Sequence, residues 1–201
     1  KNLHLLKLLM IQIQELIKLL GLGIASAILF TTIAMSEITN TKDYVKAYKE
    51  VQQEYPEGSI QRKIPVGFAA ANAYLETGGY GFKGAETAKA ANNYHGMHAI
   101  GDQKFLTTSG GAKLAQYENA KGSIRSFLNT MESNPKYSGV IEAIDKGVEE
   151  MFKGMSAYAE DPNYVEKLTS VYKNQIKARL ETENMLVPKV NTLNQQMNNL
   201  K

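Results

Sequence analysis

Apolar residues recur every three or four positions through much of the chain beyond residue 36, a spacing typical of helices with one buried face. Tyr44, Val45, Tyr48 and Val51 mark the first of these helices, which is expected to end before the Tyr-Pro-Glu-Gly turn at residues 55–58. A second helix is predicted to begin at Ile64-Pro65, because proline suits the first helical turn, where its missing N–H is not needed.

This second helix runs through VGFAAANAYLE and stops at Gly78-Gly79, since glycine readily ends a helix. From residue 80 to residue 116 the chain is rich in Gly, Asn, Thr and Ser without a sustained period. That stretch is predicted to form loops with at most a short hairpin.

Three more helices are predicted in the second half of the chain, and a stripe of apolar residues marks each of them. These stripes are Ile124, Phe127, Leu128 and Met131; then Val140, Ile141, Ile144, Val148 and Met151; and finally Val165, Leu168, Tyr172 and Ile176. The last helix follows Asp161-Pro162, a capping residue before a proline at the first helical position. The predicted fold is therefore mainly α, a helical domain with a short loop or hairpin lobe.

The first 36 residues have a different pattern. The run from Leu19 to Ser36 carries no charge and is about the minimum length that spans a bilayer core. We interpret residues 1–36 as an apolar helix that is a retained membrane anchor or an assembly arm. Lys1 and Lys7 ahead of the run also resemble a signal peptide, but no A-x-A cleavage site follows. A buried helix or an oligomerisation helix in a larger assembly is the alternative.

The C-terminal residues 186–201 are predicted to form an amphipathic tail, in which Val190, Leu193, Met197 and Leu200 recur at spacings of three and four positions. The tail is expected to form a short coiled coil that joins copies of the chain, or a helix docked on the domain. Residues 37–185 between the two terminal segments are predicted to form a single catalytic domain, since a chain of 201 residues is long enough for one full core.

Composition narrows the chemistry available to this domain. With 23 Lys and Arg against 20 Asp and Glu, the total charge does not indicate a nucleic-acid partner. The absence of cysteine excludes disulfides, thiolate metal sites and a cysteine nucleophile. His4, His95 and His98 are the only histidines, so a His-rich zinc site is not expected, and no metal or cofactor is predicted. Carboxylates, hydroxyls and amides must supply the chemistry.

Glu76 is the carboxylate whose setting suits catalysis best. It closes the second helix, where the negative end of the helix dipole disfavours its ionised form. Its neighbours on the same helical face are Ala69, Asn72 and Ala73, which are small enough to let a substrate come close. Partial burial would also raise its pKa, as a general acid requires. The alternative is an ordinary solvated residue at a helix end.

Five short elements around and after Glu76 stand in a specific order. They are LETG at residues 75–78, NNYHGMH at 92–98, Tyr117 followed by Ser123-Ile124, NPKY at 134–137 and AYAEDPNY at 157–164. Together they resemble the glucosaminidase domain of glycoside hydrolase family 73, whose first two elements read A-x-LE-[ST]-G-x-G and NN-x-[FY]-G-[IM]-[KH]. The resemblance extends from about residue 45 to about residue 180.

The resemblance implies an α-dominated, lysozyme-like fold and hydrolysis of peptidoglycan glycan strands at the linkage from N-acetylglucosamine to N-acetylmuramic acid. It assigns the catalytic acid to Glu76 and suggests that Tyr158 lies near the reacting sugar, although a core tyrosine is the alternative. The residues expected to shape the sugar-binding groove are Asn92, Asn93, Tyr94, His98 and Tyr80. Amides can bridge sugar hydroxyls and aromatic faces can cover sugar rings, but the asparagine pair could equally be a turn or a helix cap.

A second catalytic carboxylate is missing from the place where many members of this family have one. Glycosidases usually need two carboxylates, or a substrate acetamide in place of one. The corresponding stretch at residues 103–116 contains no acid, which resembles the Bax-like branch of the family. Asp102, Glu118 and Glu86 are the nearest candidates. The 2-acetamido group of the substrate, or a water held by Tyr158, would remove the need for any of them.

Two other functions compete with this one. A lytic transglycosylase shares the fold and the single acid, but its E-S-x-F signature is not matched by Glu76-Thr77-Gly78-Gly79. A wall-binding protein with an inactive cleft would explain the missing second acid. The expected location is outside the cytoplasm, on an envelope membrane to which residues 1–36 anchor the chain; the alternative is a bacteriophage virion that uses these residues for assembly.

Overall fold

The computed structural model describes residues 37–182. Its first helix, α1, spans Thr41–Gln53 and is capped by Asn40, whose side chain accepts a hydrogen bond of 3.0 Å from the N–H of Asp43. Asparagine is favoured at this position because its side chain satisfies an N–H that has no partner within the helix. The predicted first helix is confirmed, and its buried face includes Tyr44 and Tyr48.

A short helix that the sequence analysis missed, α2, spans Ile60–Lys63 and leads into the central helix α3, Val66–Glu76. Pro65 stands just before α3, as predicted. Every residue from Gly67 to Ala73 is buried, because α1 and the C-terminal helical elements surround this part of α3. The predicted second helix is confirmed, and its buried first turns fix the position of Glu76 at its end.

The region after α3 contains a small lobe with a second short helix, α4, at Glu86–Ala90. Strands β1, Phe105–Thr107, and β2, Lys113–Ala115, form an antiparallel pair in which Phe105 lies opposite Ala115. His98 continues this pairing through an isolated bridge to Leu114. The predicted short hairpin is confirmed, whereas α4 was not predicted because five residues show no helical period.

The longest helix of the described residues, α5, spans Ala120–Ser133. Asn119 caps it by accepting a hydrogen bond of 3.1 Å from the N–H of Gly122. Its apolar stripe is fully buried, as the spacing predicted, and it includes Phe127, whose ring packs at a tilt against Phe68 of α3 and stacks on His95.

The prediction of a single helix across residues 140–151 is wrong. A 3₁₀ turn at Pro135–Tyr137 leads into α6, Ser138–Glu142; a second 3₁₀ turn at Ile144–Lys146 precedes α7, Val148–Lys153. Gly147 separates the two helices with φ +97°, a conformation that an α-helix does not allow.

The last helix, α8, spans Tyr164–Val171 and continues through a π-helical turn at Tyr172–Ile176 to residue 182. Its predicted start is two residues too early: Asp161 does not cap the helix but accepts a hydrogen bond of 2.9 Å from the N–H of Asn163 within the preceding turn. Helix α8 and the π-helical turn pack against α3, which brings the start of α8 to the side chain of Glu76.

The predicted fold class is confirmed for the described residues, which are mainly helical with one two-stranded sheet. The predicted apolar helix at residues 1–36 and the tail at residues 186–201 lie outside the described residues. Between residues 37 and 182, no helix has the length and apolar character needed to cross a membrane.

Candidate active site

The carboxylate of Glu76 is held between two residues that come from distant parts of the chain. Tyr164, the first residue of α8, donates a hydrogen bond of 2.5 Å from its hydroxyl to Oε1. On the other side lies Gly96, and a β-carbon at that residue would be 2.6 Å from Oε2. The helix end, one hydroxyl and one glycine therefore fix the position of both carboxylate oxygens.

The environment of Glu76 favours its protonated form. Burial raises the pKa of Glu76, and the hydrogen bond from Tyr164 offsets part of this rise. No charged side chain of the described residues contributes to the shift. A carboxyl group whose pKa is raised in this way can hold a proton at the pH where it must deliver one, which is the property that a general acid needs.

Tyr164 remains a donor because its own proton is tightly held. Burial, followed by the negative charge of Glu76, raises the pKa of Tyr164 far above its usual range. Its ring stacks on that of Tyr158, with centroids 5.6 Å apart and planes 13° apart. The two tyrosines of the AYAEDPNY element thus form one aromatic wall beside the acid.

Tyr158 does not hydrogen-bond to Glu76. Its hydroxyl donates to the backbone carbonyl of His95 and lies 3.2 Å from Sδ of Met97. Burial and then the charge of Glu76 raise the pKa of Tyr158, so it also keeps its proton. The observed contacts are with the NNYHGMH loop, which Tyr158 holds in place next to the acid.

The side chain of Asn93 stabilises that loop through three hydrogen bonds. Its amide donates to the carbonyls of Met97, at 2.8 Å, and Ala115, at 2.9 Å, and its Oδ1 accepts from the N–H of Met97. The side chain is fully buried, which favours a structural role: it closes the turn that presents Gly96 to Glu76. Asn92 is half-buried with φ +50°, and its amide donates to the carbonyl of Tyr117 at 3.0 Å.

The other residues expected in the groove differ in their exposure. Tyr94 is buried, and its hydroxyl accepts from the N–H of Ile38 at 3.2 Å. Tyr80 is also buried and donates to the carbonyl of Ala70 at 3.1 Å, which favours a role in the core rather than contact with a sugar. His98 is exposed at the edge of the hairpin lobe.

The three candidates for a second acid, Glu86, Asp102 and Glu118, are all exposed. None of them hydrogen-bonds to Glu76 or contributes to its pKa. Their roles stay predictions. Within residues 37–182, no three carboxylates and histidines group closely enough to hold a metal ion.

Sequence reasoning missed three residues that the structure links to Glu76 through successive hydrogen bonds. Tyr164 belongs to a recognised element but was not assigned to the site, Asn72 was noted only as a neighbour on the same helical face, and His95 occupies the position where the family pattern has Phe or Tyr. The carboxamide of Asn72 donates to the hydroxyl of Tyr164 at 2.7 Å, and its Oδ1 lies 2.6 Å from Nδ1 of His95. Of the three, Asn72 could have been recognised from the sequence, because a polar residue is unusual in the middle of a run of alanines on a buried helix.

Two solved structures share the fold of this chain. The glycoside hydrolase domain of FlgJ from Salmonella typhimurium superposes with a TM-score of 0.51 and 22% identity, over 78% of this chain and 98% of that domain. A peptidoglycan hydrolase from Sphingomonas sp. A1 superposes with a TM-score of 0.51 and 19% identity, over 68% of this chain and 88% of that one. At these identities the two structures show the fold, and they agree with the predicted mainly helical domain with a small hairpin lobe.

No curated protein sequence matches the chain. The Glucosaminidase family, described as mannosyl-glycoprotein endo-beta-N-acetylglucosaminidase, matches residues 52–177, a range that includes Glu76, Gly96, Tyr158 and Tyr164. The match covers more than half of the chain and confirms the family expected from the five sequence elements. The chain therefore belongs to the glucosaminidase family of glycoside hydrolases.

Proposed function

We propose that this chain hydrolyses the glycan strand of peptidoglycan as an endo-β-N-acetylglucosaminidase, with Glu76 as its general acid. The observation that carries the proposal is the setting of Glu76: a half-buried carboxyl group with a raised pKa, one oxygen bound by Tyr164 and the other beside Gly96. The solved relatives named above include a peptidoglycan hydrolase, which supports this choice of substrate.

In this mechanism Glu76 gives its proton to the glycosidic oxygen as the bond from that oxygen to the anomeric carbon breaks. Positive charge then develops on the sugar. The 2-acetamido oxygen of the same sugar attacks the anomeric carbon, and a water molecule later opens this intermediate while Glu76 takes back a proton. Among residues 37–182, no carboxylate affects the pKa of Glu76, which favours such assistance by the substrate.

The direct test is digestion of purified peptidoglycan by the full chain, followed by borohydride reduction and mass spectrometry of the fragments. We expect one water gained at each cut and a reducing end on N-acetylglucosamine. Fragments with anhydro ends would indicate a lytic transglycosylase instead. Reducing N-acetylmuramic acid would indicate a muramidase, and release of sugar from a mannosyl-glycoprotein assayed in parallel would indicate the substrate in the family's description.

Substitution of the acid completes this test. A Glu76→Gln variant keeps the size and the acceptor for Tyr164 but has no proton to give, so we expect an activity loss of about 10²- to 10⁴-fold with an unchanged circular dichroism spectrum. A wild-type chain that binds peptidoglycan without releasing fragments would support the inactive wall-binding alternative.

We further propose that the protein acts outside the cytoplasm, anchored to an envelope membrane by residues 1–36. The uncharged run from Leu19 to Ser36 supports an anchor. Membrane fractionation of cells that express the full chain, compared with a variant in which Ile28 and Ile33 are both replaced by Lys, tests this proposal. Recovery of the protein in purified phage particles would favour the virion alternative, and chemical cross-linking would test the tail as an oligomer contact.

A further inference from the structure

A continuous chain of hydrogen bonds leads from the core of the protein to the acid. The hydroxyl of Tyr44 lies 3.0 Å from Nε2 of His95, and Nδ1 of His95 lies 2.6 Å from Oδ1 of Asn72. The amide nitrogen of Asn72 donates to the hydroxyl of Tyr164 at 2.7 Å, and that hydroxyl donates to Oε1 of Glu76 at 2.5 Å. The five residues come from α1, α3, the NNYHGMH loop and α8, so only the tertiary fold assembles them.

The carboxamide of Asn72 sets the direction of this chain. Its oxygen can only accept, so Nδ1 of His95 must carry the ring proton and donate it. The other ring nitrogen, Nε2, is then bare and accepts the proton of Tyr44. His95 stays in this neutral form because full burial lowers its pKa to about 3.

The buried start of this hydrogen-bond chain, at Tyr44, rules out donation in the opposite direction. Tyr44 is fully buried, and His95 is the hydrogen-bond partner of its hydroxyl among the described residues. If His95 donated to Tyr44 instead, the proton of that hydroxyl would have no acceptor, at a cost of about 1–3 kcal/mol. Every group from Tyr44 to Tyr164 therefore donates toward Glu76.

This direction determines which oxygen of Glu76 carries the proton. The oxygen of Tyr164 already accepts from Asn72, so its own proton is directed to Oε1. Because the carbonyl oxygen of a carboxylic acid is the better acceptor, Oε1 takes that role and the acidic proton resides on Oε2. Oε2 is the oxygen beside Gly96, where the absence of a side chain on the glycine leaves room for it.

We propose that Tyr44, His95 and Asn72 are positioning residues that hold the hydroxyl proton of Tyr164 on Oε1 and thereby keep the catalytic proton of Glu76 on Oε2. The proposal rests on the proposed function of Glu76, but the chain of hydrogen bonds can be detected without any measurement of catalysis. The ring of His95 stacks on Phe127, at 4.1 Å between centroids, as a Phe or Tyr ring at this position also could, but Phe and Tyr have no hydrogen-bond donor placed like Nδ1. In this sequence, His95 supplies that donor to Oδ1 of Asn72.

The first measurement is the tautomer of His95, from the ¹⁵N chemical shifts of its ring in the labelled full chain. We expect a protonated Nδ1 and a bare Nε2 from pH 5 to pH 8. A ring protonated on Nε2 would overturn the proposal whether or not the protein cleaves glycans. An inactive wild-type chain with the expected tautomer would count against the proposed function alone.

The second measurement uses the double variant Tyr44→Phe with His95→Phe, which removes both polar groups together and leaves no buried hydroxyl unpaired. The matched control is Tyr48→Phe, because Tyr48 lies one turn later on α1, is fully buried and donates a single hydrogen bond, to the carbonyl of Ile64 at 2.9 Å. We expect the double variant to lose about 10- to 100-fold in kcat with little change in KM, and the control to keep both. A folded double variant with the kcat of the wild type would overturn the proposal.

The pH profile separates positioning from a general loss of stability. In the part of the chain that the structure describes, the titratable groups around Glu76 are Tyr164 and Tyr158, with His95 and Tyr44 behind them, and no charged residue there adds to the shift of its pKa. Since the hydrogen bond from Tyr164 lowers the pKa of Glu76, weakening it must raise that pKa. The alkaline limb of the activity profile should therefore move to higher pH in the double variant.

Three single variants, Tyr164→Phe, His95→Phe and His95→Gln, make the outcome independent of how well the double variant folds. Tyr164→Phe removes the last donor directly, so an unchanged alkaline limb in this variant would also overturn the proposal. His95→Gln keeps one donor and one acceptor, and it should recover most of the kcat that His95→Phe loses.

Discussion

Gly96 lies against the carboxylate of Glu76, so closely that a β-carbon at residue 96 would be 2.6 Å from Oε2 and 3.2 Å from Cδ. Its φ of +63° also lies in the left-handed region that favours glycine. Backbone conformation and closeness to the acid therefore make separate demands on the same residue. The glycine of the NNYHGMH element satisfies both requirements, since it allows the left-handed backbone and has no side chain to meet Glu76.

A Gly96→Ala substitution should reduce kcat by about 100-fold, because the new methyl group would displace Oε2 from its position. The left-handed backbone should add a loss of about 1–2 kcal/mol in the free energy of unfolding. Steady-state kinetics and urea denaturation measure the two effects separately.

The control for this substitution is Gly84→Ala. Gly84 has a similar φ of +76°, but a β-carbon there would have no atom within 4 Å. It should show the stability loss without the loss of activity. Equal activity losses in the two variants would mean that strain, and not contact with Glu76, makes Gly96 important.

The Glu76→Gln variant should become more stable than the wild type as the pH rises. Burial raises the pKa of Glu76 above its ordinary value of 4.5, so between these two values the folded state binds more protons than the unfolded state. The contribution of this carboxyl group to stability is therefore lost as the pH rises through its folded pKa, and a neutral amide avoids that loss. Urea denaturation at pH 4 and pH 7.5 tests the sign, and a stability difference that is the same at both pH values would contradict it.

The helices that could be predicted from the sequence are those with clear ends as well as an apolar period. Helix α1 has its asparagine cap, α3 has proline before it and glycine after it, and α5 has an uninterrupted stripe. The error at residues 140–151 arose because the apolar stripes of α6 and α7 stay in register across Gly147. Periodicity alone therefore joined two helices that a single backbone conformation separates.

The site was predictable only where a residue belongs to a local element. Glu76 and Tyr158 could be proposed as site residues in this way, but the contact between Glu76 and Tyr164 joins residues 88 positions apart. No spacing rule relates α3 to α8. Nor could the sequence show that His95 is buried, since an exposed histidine in a loop would read the same way.

The burial of His95 predicts instability in acid. Its pKa is about 3 in the folded protein and about 6.5 in the unfolded chain, so between these values only the unfolded state binds the proton. Stability should therefore decrease as the pH falls below about 6.5, by about 1.4 kcal/mol per pH unit from this group. His95→Gln should remove this part of the slope in urea denaturation from pH 7 to pH 4. The same slope in wild type and variant would contradict the prediction.

Glu86, Asp102 and Glu118 should each be dispensable if the substrate supplies the second catalytic group. We expect Glu86→Gln, Asp102→Asn and Glu118→Gln to keep activity within about threefold, against the loss of about 10²- to 10⁴-fold typical of a proton-transfer residue. All three side chains are exposed and none affects the pKa of Glu76, which is the basis of this expectation. A loss of that larger size in any one variant, with KM unchanged, would identify it as the second acid.

Assistance by the substrate makes a prediction about the glycan itself. If the 2-acetamido oxygen attacks the anomeric carbon, peptidoglycan whose glucosamine residues have lost their acetyl groups should be cleaved at least about 100-fold more slowly, because a free amine cannot form the cyclic intermediate. Digestion of matched acetylated and deacetylated preparations, with fragments counted by mass spectrometry, measures this ratio, and a pull-down of the Glu76→Gln variant shows whether both preparations still bind. Attack from the same sugar followed by water should also give products that retain the anomeric configuration, whereas direct attack by a water would invert it. Equal cleavage of the two preparations with inverted products would mean that a water molecule acts directly, activated by a protein group.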